Sequence, residues 1–241
     1  MLLKLVEARD VGVGLDNVAQ GGAYINNLIC GTMRKIPIMD RSTPYHYPHS
    51  TVPLSTAFVY SGDDRWFQNI FIGGTKTYTE ESRNGTDYYN GHPASMEEFL
   101  ERVIAFGIGD HENFKAVLQP VYINNNCYLK GAPVYDKEET NFLSEADPQI
   151  EIFEEAGKVY LEINIEKGLL DLPAVVLETK DLEETRIVEA PFDDPDGKAI
   201  VFDTDLLGHK RTDKTMNIGP LTGLKEGHNK ILVWEGSLLT L

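Results

Sequence analysis

Cysteine is scarce in this chain, which has only Cys30 and Cys127 among its 241 residues. Each lies in a short apolar segment, where an isolated cysteine is typically a buried free thiol. The sequence therefore predicts neither a disulfide framework nor a metal site built on thiols. The six histidines show no spacing typical of a zinc site, so no metal and no other cofactor is predicted.

Basic residues are also few: 22 lysines and arginines stand against 38 aspartates and glutamates, a formal charge of −16. Nucleic acid and anionic membrane surfaces repel such a chain, so a neutral or cationic ligand is favoured. Long apolar runs are missing, and Lys4, Glu7 and Arg9 interrupt the start, where a signal peptide would need an apolar segment. These features predict a cytoplasmic protein with no nucleic-acid or membrane partner, and they leave a homo-oligomer open.

Three short apolar segments that contain asparagine and end in glycine resemble one another, around Asn27, Asn69 and Asn126. Their spacing fits a β-helix, in which one coil typically takes on the order of 20 to 25 residues. If the asparagines are equivalent and point inward, their amides can hydrogen-bond along a stack. The sequence therefore favours an all-β fold with a right-handed parallel β-helix over residues 1–144. Three unrelated strand ends in a sandwich are the alternative.

A helical insertion into this β-helix is predicted over about residues 95–107. Ser95 and Glu98 form a capping-box signature, and Gly107 ends the run. Between them, apolar residues recur at helical spacing. They are Met96, Phe99, Leu100, Val103 and Ile104.

The pattern changes in residues 145–241. Apolar and polar residues alternate on both sides of Ala156 and Gly157, which indicates a hairpin with one buried face. This part of the chain is predicted to be an antiparallel β-rich region. Further strands are expected at 175–177, 199–202 and 231–234.

The central strand begins with two adjacent carboxylates, Asp63 and Asp64, followed by Arg65. The two-residue period of a strand places Asp63 and Arg65 on the inward line of Phe71. Asp64 and Trp66 then face outward, where a β-helix would bind a sugar. Of the pair, Asp64 is therefore the better candidate for chemistry. The other interpretation is that the pair merely caps a turn, with Arg65 in a salt bridge.

Glycoside hydrolysis requires two carboxyl groups: an acid that protonates the leaving oxygen, and a carboxylate that attacks carbon or activates water. An aspartate of the pair can supply the second role. Candidates for the acid are Glu97 and Glu98 at the helix start and Glu80 and Glu81 in the preceding loop. Because Glu98 is already explained as a capping partner, Glu97 is slightly the freer candidate.

Residues 32–56 are predicted to be a loop, because prolines at 37, 44, 48 and 53 disfavour regular structure. The segment is dense in tyrosine, histidine and arginine, and it comes just before the aspartate pair. It is therefore a candidate substrate-binding wall; an exposed polar crossover is the alternative. The candidate substrate-binding residues are Arg41, Tyr45, His46, His49, Arg65 and Tyr89.

These segments together resemble the C-terminal part of the parallel β-helix β-xylosidases of glycoside hydrolase family 120. The similar stretches cover 41–51, 62–71, 89–98 and 126–132, with weaker likeness at 205–208 and 219–220. The resemblance implies a retaining exo-glycosidase that releases xylose from short, neutral oligosaccharides. It would use an aspartate of the 63/64 pair as nucleophile and Glu97 or Glu98 as acid/base.

Two other functions remain open at this stage. A pectin-cutting lyase or polygalacturonase would also combine a β-helix with paired aspartates, although the negative charge weakly opposes an anionic polymer. A noncatalytic carbohydrate-binding solenoid would need only the aromatic loop. Family members are far longer than this chain, which is therefore expected to be a fragment that is aggregation-prone and nearly inactive by itself.

Overall fold

The computed structural model describes residues 6–7, 14–75, 79, 81–107 and 115–235. This part of the chain is mostly β. Its strands are β1 (Val6–Glu7), β2 (Leu15–Asn17), β3 (Ala23–Ile25), β4 (Leu28–Cys30), β5 (Met33–Lys35), β6 (Ile38–His46), β7 (Pro53–Val59), β8 (Asp64–Phe67), β9 (Ile70–Ile72), β10 (Val121–Asn124), β11 (Asn126–Leu129), β12 (Asn141–Leu143), β13 (Glu151–Glu155), β14 (Lys158–Ile165) and β15 (Gly227–Glu235). Its helices are α1 (Met96–Phe106) and α2 (Lys167–Asp171), with 3-10 turns at Asp87–Tyr89 and Thr179–Asp181.

Parallel pairing joins strands that are far apart in sequence. One ladder has the order β3, β8, β10, and a second has the order β1, β4, β9, β11, β12. Strands β2 and β5 form a further parallel pair. The chain passes from the first ladder to the second in β3–β4, again in β8–β9 and again in β10–β11, so equivalent segments lie directly above one another.

A residue in the left-handed conformation makes each bend between the two ladders, with φ of 56° at Asn26, 57° at Gln68 and 60° at Asn125. Because the backbone turns there, the alternation of side chains does not continue from β8 into β9. The prediction that Asp64 and Trp66 face outward is therefore wrong, since neither side chain is exposed. Trp66 is fully buried and lies in the same apolar cluster as Phe71.

The predicted asparagine stack is confirmed. The backbone N–H and the side-chain Nδ2 of Asn27 each donate to Oδ1 of Asn69 at 2.9 Å. In the same way Asn69 donates to Oδ1 of Asn126, at 2.9 Å from the backbone and 3.0 Å from Nδ2. All three residues are buried. A shift in register would leave these buried donors unpaired, so the stack fixes the alignment of the segments.

Glu138 ends this stack. Its Oε1 accepts both the backbone N–H and Nδ2 of Asn126 at 2.9 Å, and its Oε2 accepts the hydroxyl of Tyr128. A carboxylate suits this position because it only accepts, so it closes a chain of donors. Burial raises the pKa of Glu138 to about 7, although the hydrogen bonds from Tyr128 and Asn126 lower it.

Replacing Glu138 by glutamine should change how stability depends on pH. The folded chain keeps the Glu138 proton up to about pH 7, whereas the unfolded chain loses it near the ordinary pKa of 4.5. The stability that the folded chain gains by holding this proton more tightly is therefore complete below about pH 4.5, and it is lost as the pH rises to 7. Between pH 4 and pH 8, the free energy of unfolding of Glu138→Gln should rise relative to that of the native chain by up to about 3 kcal/mol. Urea unfolding at each pH measures it. A difference that stays constant with pH would contradict the assignment.

The antiparallel sheet of β13, β14 and β15 packs on one face of the second ladder. Ile70 and Leu129 of the ladder share a buried cluster with Leu161 and Ile163 of β14. The predicted hairpin between β13 and β14 and the strand at 231–234 are confirmed. This sheet therefore supplies the cover for apolar side chains that the ladder presents outward.

The predicted strands at 175–177 and 199–202 are wrong. No strand forms over either segment, and only Ala199 and Val201 make isolated bridges, to Asp193 and Glu178. Side chains, and not a neighbouring strand, pair with part of their backbone. The N–H of Val175 donates to Oε1 of Gln68 at 2.7 Å, and Nε2 of Gln68 donates back to the carbonyl of Val175 at 2.9 Å. With these backbone groups satisfied, the segment has less need of a sheet partner.

The predicted loop at 32–56 is also wrong, because most of it forms an antiparallel hairpin of β6 and β7 with irregular register. Pro44 lies within β6. A two-stranded ribbon tolerates proline because each strand has an outer edge whose N–H groups need no partner. Sequence periodicity gave no sign of this ribbon, whose side chains are largely exposed on both faces.

The helix predicted over about residues 95–107 is confirmed as α1, but its apolar face is not. Oγ of Ser95 accepts the N–H of Glu98 at 3.1 Å, whereas the Glu98 carboxylate reaches the N–H of Ala94. Of the apolar residues, Phe99 is buried, while Leu100 and Ile104 are 50% and 79% exposed. The helix therefore contacts the rest of the described chain through a narrower stripe than its pattern suggests.

The sequence predictions on the cysteines and on membrane-spanning segments can be compared with the structure. Cys127 is buried, as predicted, whereas Cys30 is only partly buried, and no disulfide joins the two. No helix in the described ranges combines the length and the apolar character needed to cross a membrane.

Candidate active site

Asp64 lies at the start of β8, completely buried, and three donors from different segments hold its carboxyl group. Oδ2 accepts the hydroxyl of Tyr89 at 2.5 Å and Nδ2 of Asn17 at 3.0 Å. Oδ1 accepts the backbone N–H of Gly22 at 2.9 Å. Three converging donors fix the carboxyl in one orientation and stabilise its charged form.

The surroundings of Asp64 are aromatic. Tyr24 stacks on Trp66 with ring centroids 3.9 Å apart, and Nε1 of Trp66 donates to the hydroxyl of Tyr89 at 3.3 Å. Burial raises the pKa of Asp64 to about 7, while the hydrogen bonds from Tyr89 and Gly22 lower it. The pocket therefore holds a carboxyl that changes its charge near neutral pH, which is typical of groups that perform chemistry.

Asp63 points into a different environment. Its Oδ1 pairs with Nη1 of the fully buried Arg65 at 2.8 Å, and its Oδ2 accepts the backbone N–H of Arg186 at 2.8 Å. Arg65 also donates to the carbonyls of Leu182 and Glu184. Asp63 and Arg65 thus anchor the segment after residue 181 to β8, and their arrangement is explained by structure alone.

A lysine and a histidine border the Asp64 pocket. Nδ1–H of His92 donates to the carbonyl of Gln119 at 2.7 Å, so Nε2 is the unprotonated nitrogen that accepts from Nζ of Lys35. Burial and the charge of Lys35 lower the pKa of His92 to about 3. Burial lowers the pKa of Lys35 to about 8, although Asp64 raises it. At neutral pH the neutral imidazole therefore holds a cationic ammonium close to Asp64.

The structure brings some of the predicted site residues together and leaves others apart. Tyr89, predicted to bind substrate, contacts Asp64. Glu98 faces Arg102 and Lys137, and its Oε1 lies 2.5 Å from nitrogen atoms of both. Although burial raises the pKa of Glu98, the hydrogen bonds from these neighbours and from a backbone N–H outweigh it and lower the pKa to about 2. Glu97 is exposed on the same helix.

The residues of the β6–β7 ribbon lie mostly in solvent. Arg41 and His46 are exposed, and His49 pairs with Asp193 at 3.0 Å. Tyr45 turns towards the body of the chain, where its hydroxyl accepts Nε2 of Gln20 at 2.7 Å. Of the remaining glutamate candidates, Glu81 is exposed and Glu80 falls outside the described residues.

Several groups of this site were not predicted. Asn17, Gly22 and Lys35 carry no motif, and only the parallel pairing of the strands brings them to Asp64. Asp87 stands directly before the tyrosine pair. Its buried Oδ1 has no hydrogen-bond partner in the described part of the chain, and burial raises the pKa of Asp87 in spite of Arg83. Burial raises the pKa of Tyr88, and the charges of both Asp64 and Asp87 raise it further.

The chain is similar to a solved structure described as the complex structure of XylC with xylose. The match covers 91% of this chain with 45% sequence identity and a TM-score of 0.83. It covers 34% of the other chain, so the present chain spans about a third of that protein's length. No protein-family model and no curated protein matches the chain.

Proposed function

We propose that this chain carries the catalytic nucleophile of a retaining glycoside hydrolase that releases xylose from xylo-oligosaccharides. The Asp64 carboxyl is the observation that carries this proposal, because three donors orient it inside an aromatic pocket. A retaining enzyme needs a carboxylate that attacks the anomeric carbon and then leaves as a stabilised anion. The likeness to a protein solved with xylose favours this sugar.

The proposal extends to the fold. Two parallel ladders, left-handed bends at equivalent positions and a stack of inward asparagines are what successive coils of a parallel β-helix would produce. We therefore interpret β3–β4, β8–β9 and β10–β11 as coils of such a helix, similar to those of glycoside hydrolase family 120. The ribbon β6–β7 and helix α1 are insertions between coils.

The acid/base is proposed among the carboxyls that follow β9. A proton donor must hold its proton near the working pH, and the interactions that keep Glu98 ionised make it the weakest of these candidates. Glu97 remains a candidate. Asp87 is added because burial raises its pKa and because its Oδ1 has no partner within the ranges that the structure describes. A separation of about 5 to 5.5 Å from the Asp64 carboxyl in a sugar complex would identify the partner.

Asp64 is fully buried, so a sugar can reach it only if a neighbouring group moves. Lys35 borders Asp64 on one side and an open cavity on the other. Its long, flexible side chain can change rotamer at small cost, whereas the stacked rings of Tyr24 and Trp66 are held by their mutual contact. We propose that substrate enters from the Lys35 side.

A covalent trap tests the nucleophile. The complete natural polypeptide that carries this chain should be inactivated by a 2-fluoro xyloside with a good leaving group, because the fluorine slows breakdown of the glycosyl-enzyme. Peptide mass mapping should place one added sugar within residues 61–66, on Asp64. Asp64→Asn should take up no label, whereas Gln149→Ala, a surface change, should label as the native protein does. A labelled peptide from elsewhere would refute the assignment.

A further inference from the structure

A cavity of about 300 Å³ lies beside the Asp64 pocket, and Lys35 and Ser61 line it together with Gln119. Gln119 is 1% exposed and Ser61 is 2% exposed. Yet Oε1 and Nε2 of Gln119 and Oγ of Ser61 have no hydrogen-bond partner among the described residues. Buried polar groups that remain unpaired are costly, so three of them at the wall of one cavity indicate a ligand that pairs with them.

The backbone holds these groups in place. The N–H of Asp63 donates to the carbonyl of Pro120 at 2.6 Å, and His92 donates to the carbonyl of Gln119. A Cβ at Gly62, where φ is 95°, would lie 2.8 Å from Cβ of Gln119. Glycine therefore allows the two segments to approach closely, and it places Cβ of Gln119 next to Gly62.

The chemistry of the wall fits a sugar. A carboxamide offers an acceptor and a donor side by side, which matches two adjacent hydroxyl groups of a pyranose. Met39 and Leu118 contribute apolar surface for the C–H face of a ring. An ammonium has three donors, so Lys35 can bind a sugar oxygen in addition to His92. A volume of this size holds one monosaccharide.

We propose that this cavity is a sugar subsite that takes the leaving-group ring of a xylo-oligosaccharide, with Gln119 and Ser61 as its specificity-determining residues. The inference rests on the proposed function, because Asp64 must act on the sugar bound next to it. Lys35, which borders both spaces, would lie close to the glycosidic bond that breaks. An aryl xyloside has no second sugar and would not use these hydroxyl-binding groups.

Kinetics on two substrates test the subsite in the complete natural polypeptide. Gln119→Leu should lower kcat/KM for xylobiose at least about tenfold and leave that for an aryl xyloside within about threefold. Ser61→Gly, which suits the φ of 65° at this residue, should lower the xylobiose value about three- to tenfold. Because the native amide is unpaired, Gln119→Leu should not lower Tm.

Gln68→Leu is the matched control, since its buried amide is paired with Val175. It should lower Tm and leave the ratio of the two kcat/KM values unchanged. If Gln119→Leu lowers kcat/KM equally for both substrates, or changes neither value, the subsite is overturned. Turnover of the substrates by the native protein still upholds the proposed function. If the native protein hydrolyses neither substrate, the proposed function fails. The subsite is then judged by calorimetric titration of the complete natural polypeptide with xylobiose, and the absence of binding that depends on Gln119 overturns it.

Discussion

Asp64→Asn should lower turnover of an aryl xyloside by about a thousandfold or more in the complete natural polypeptide. The amide cannot form the glycosyl-enzyme, so the loss should fall on kcat and not on substrate binding. The fold should survive, because Oδ1 of asparagine can still accept from Tyr89 or Asn17. At pH 8 the variant should be at least as stable as the native protein, since burial raises the pKa of Asp64 to about 7 and the ionised carboxyl is costly.

Asp63→Asn is the matched comparison, because Asp63 is one residue away and also buried. Its native carboxylate pairs with Arg65 and the backbone of Arg186, so the variant should lose stability and keep turnover within about tenfold. Steady-state kinetics and thermal unfolding of both variants separate the two roles. If turnover is lost in Asp63→Asn and kept in Asp64→Asn, the nucleophile is Asp63, and the assignment to Asp64 is wrong.

The asparagine stack could be predicted because it depends on a repeat that the sequence displays. Asn27, Asn69 and Asn126 each stand between two short apolar segments, and an inward amide needs partners that only its equivalents supply. The direction of side chains across the bend could not be predicted in the same way. The left-handed residue Gln68 interrupts the period of two, so counting from Phe71 back to Trp66 gave the wrong face.

The surroundings of Asp64 were beyond sequence reasoning for a different reason. Asn17 and Gly22 precede the β6–β7 ribbon, whereas Tyr89 comes after β9, in the connection that leads to α1. Their convergence follows from the order of strands in the ladders, which no local pattern encodes. The aspartate pair itself was conspicuous, and so was the aromatic loop before it. The structure shows that this segment is the largely exposed β6–β7 ribbon. Residue types that suit sugar binding therefore do not by themselves locate a binding site.

Asn69→Ala should have the largest effect on stability, about 3 to 6 kcal/mol. The native side chain accepts the N–H and Nδ2 of Asn27 and donates to Oδ1 of Asn126 and to the carbonyl of Tyr24 at 2.9 Å. Alanine leaves the buried donors of Asn27 and the carbonyl of Tyr24 without these partners, and each such group costs about 1 to 3 kcal/mol. Since a domain is typically stable by only about 5 to 15 kcal/mol, the variant should be marginally folded or unfolded at 37 °C.

Two further variants separate hydrogen bonding from the loss of volume. Asn69→Asp keeps the size of the side chain but turns an acceptor towards the carbonyl of Tyr24 and Oδ1 of Asn126, so it should be about as destabilised as alanine. Asn164 is a partly exposed residue of β14 whose side chain donates a hydrogen bond to Gln149. Asn164→Ala should therefore lower the free energy of unfolding by less than about 1 kcal/mol. Urea unfolding followed by circular dichroism gives the three free energies. An Asn69→Asp variant as stable as the native chain would show that the stack contributes shape alone, and that its amides do not hold the segments in register.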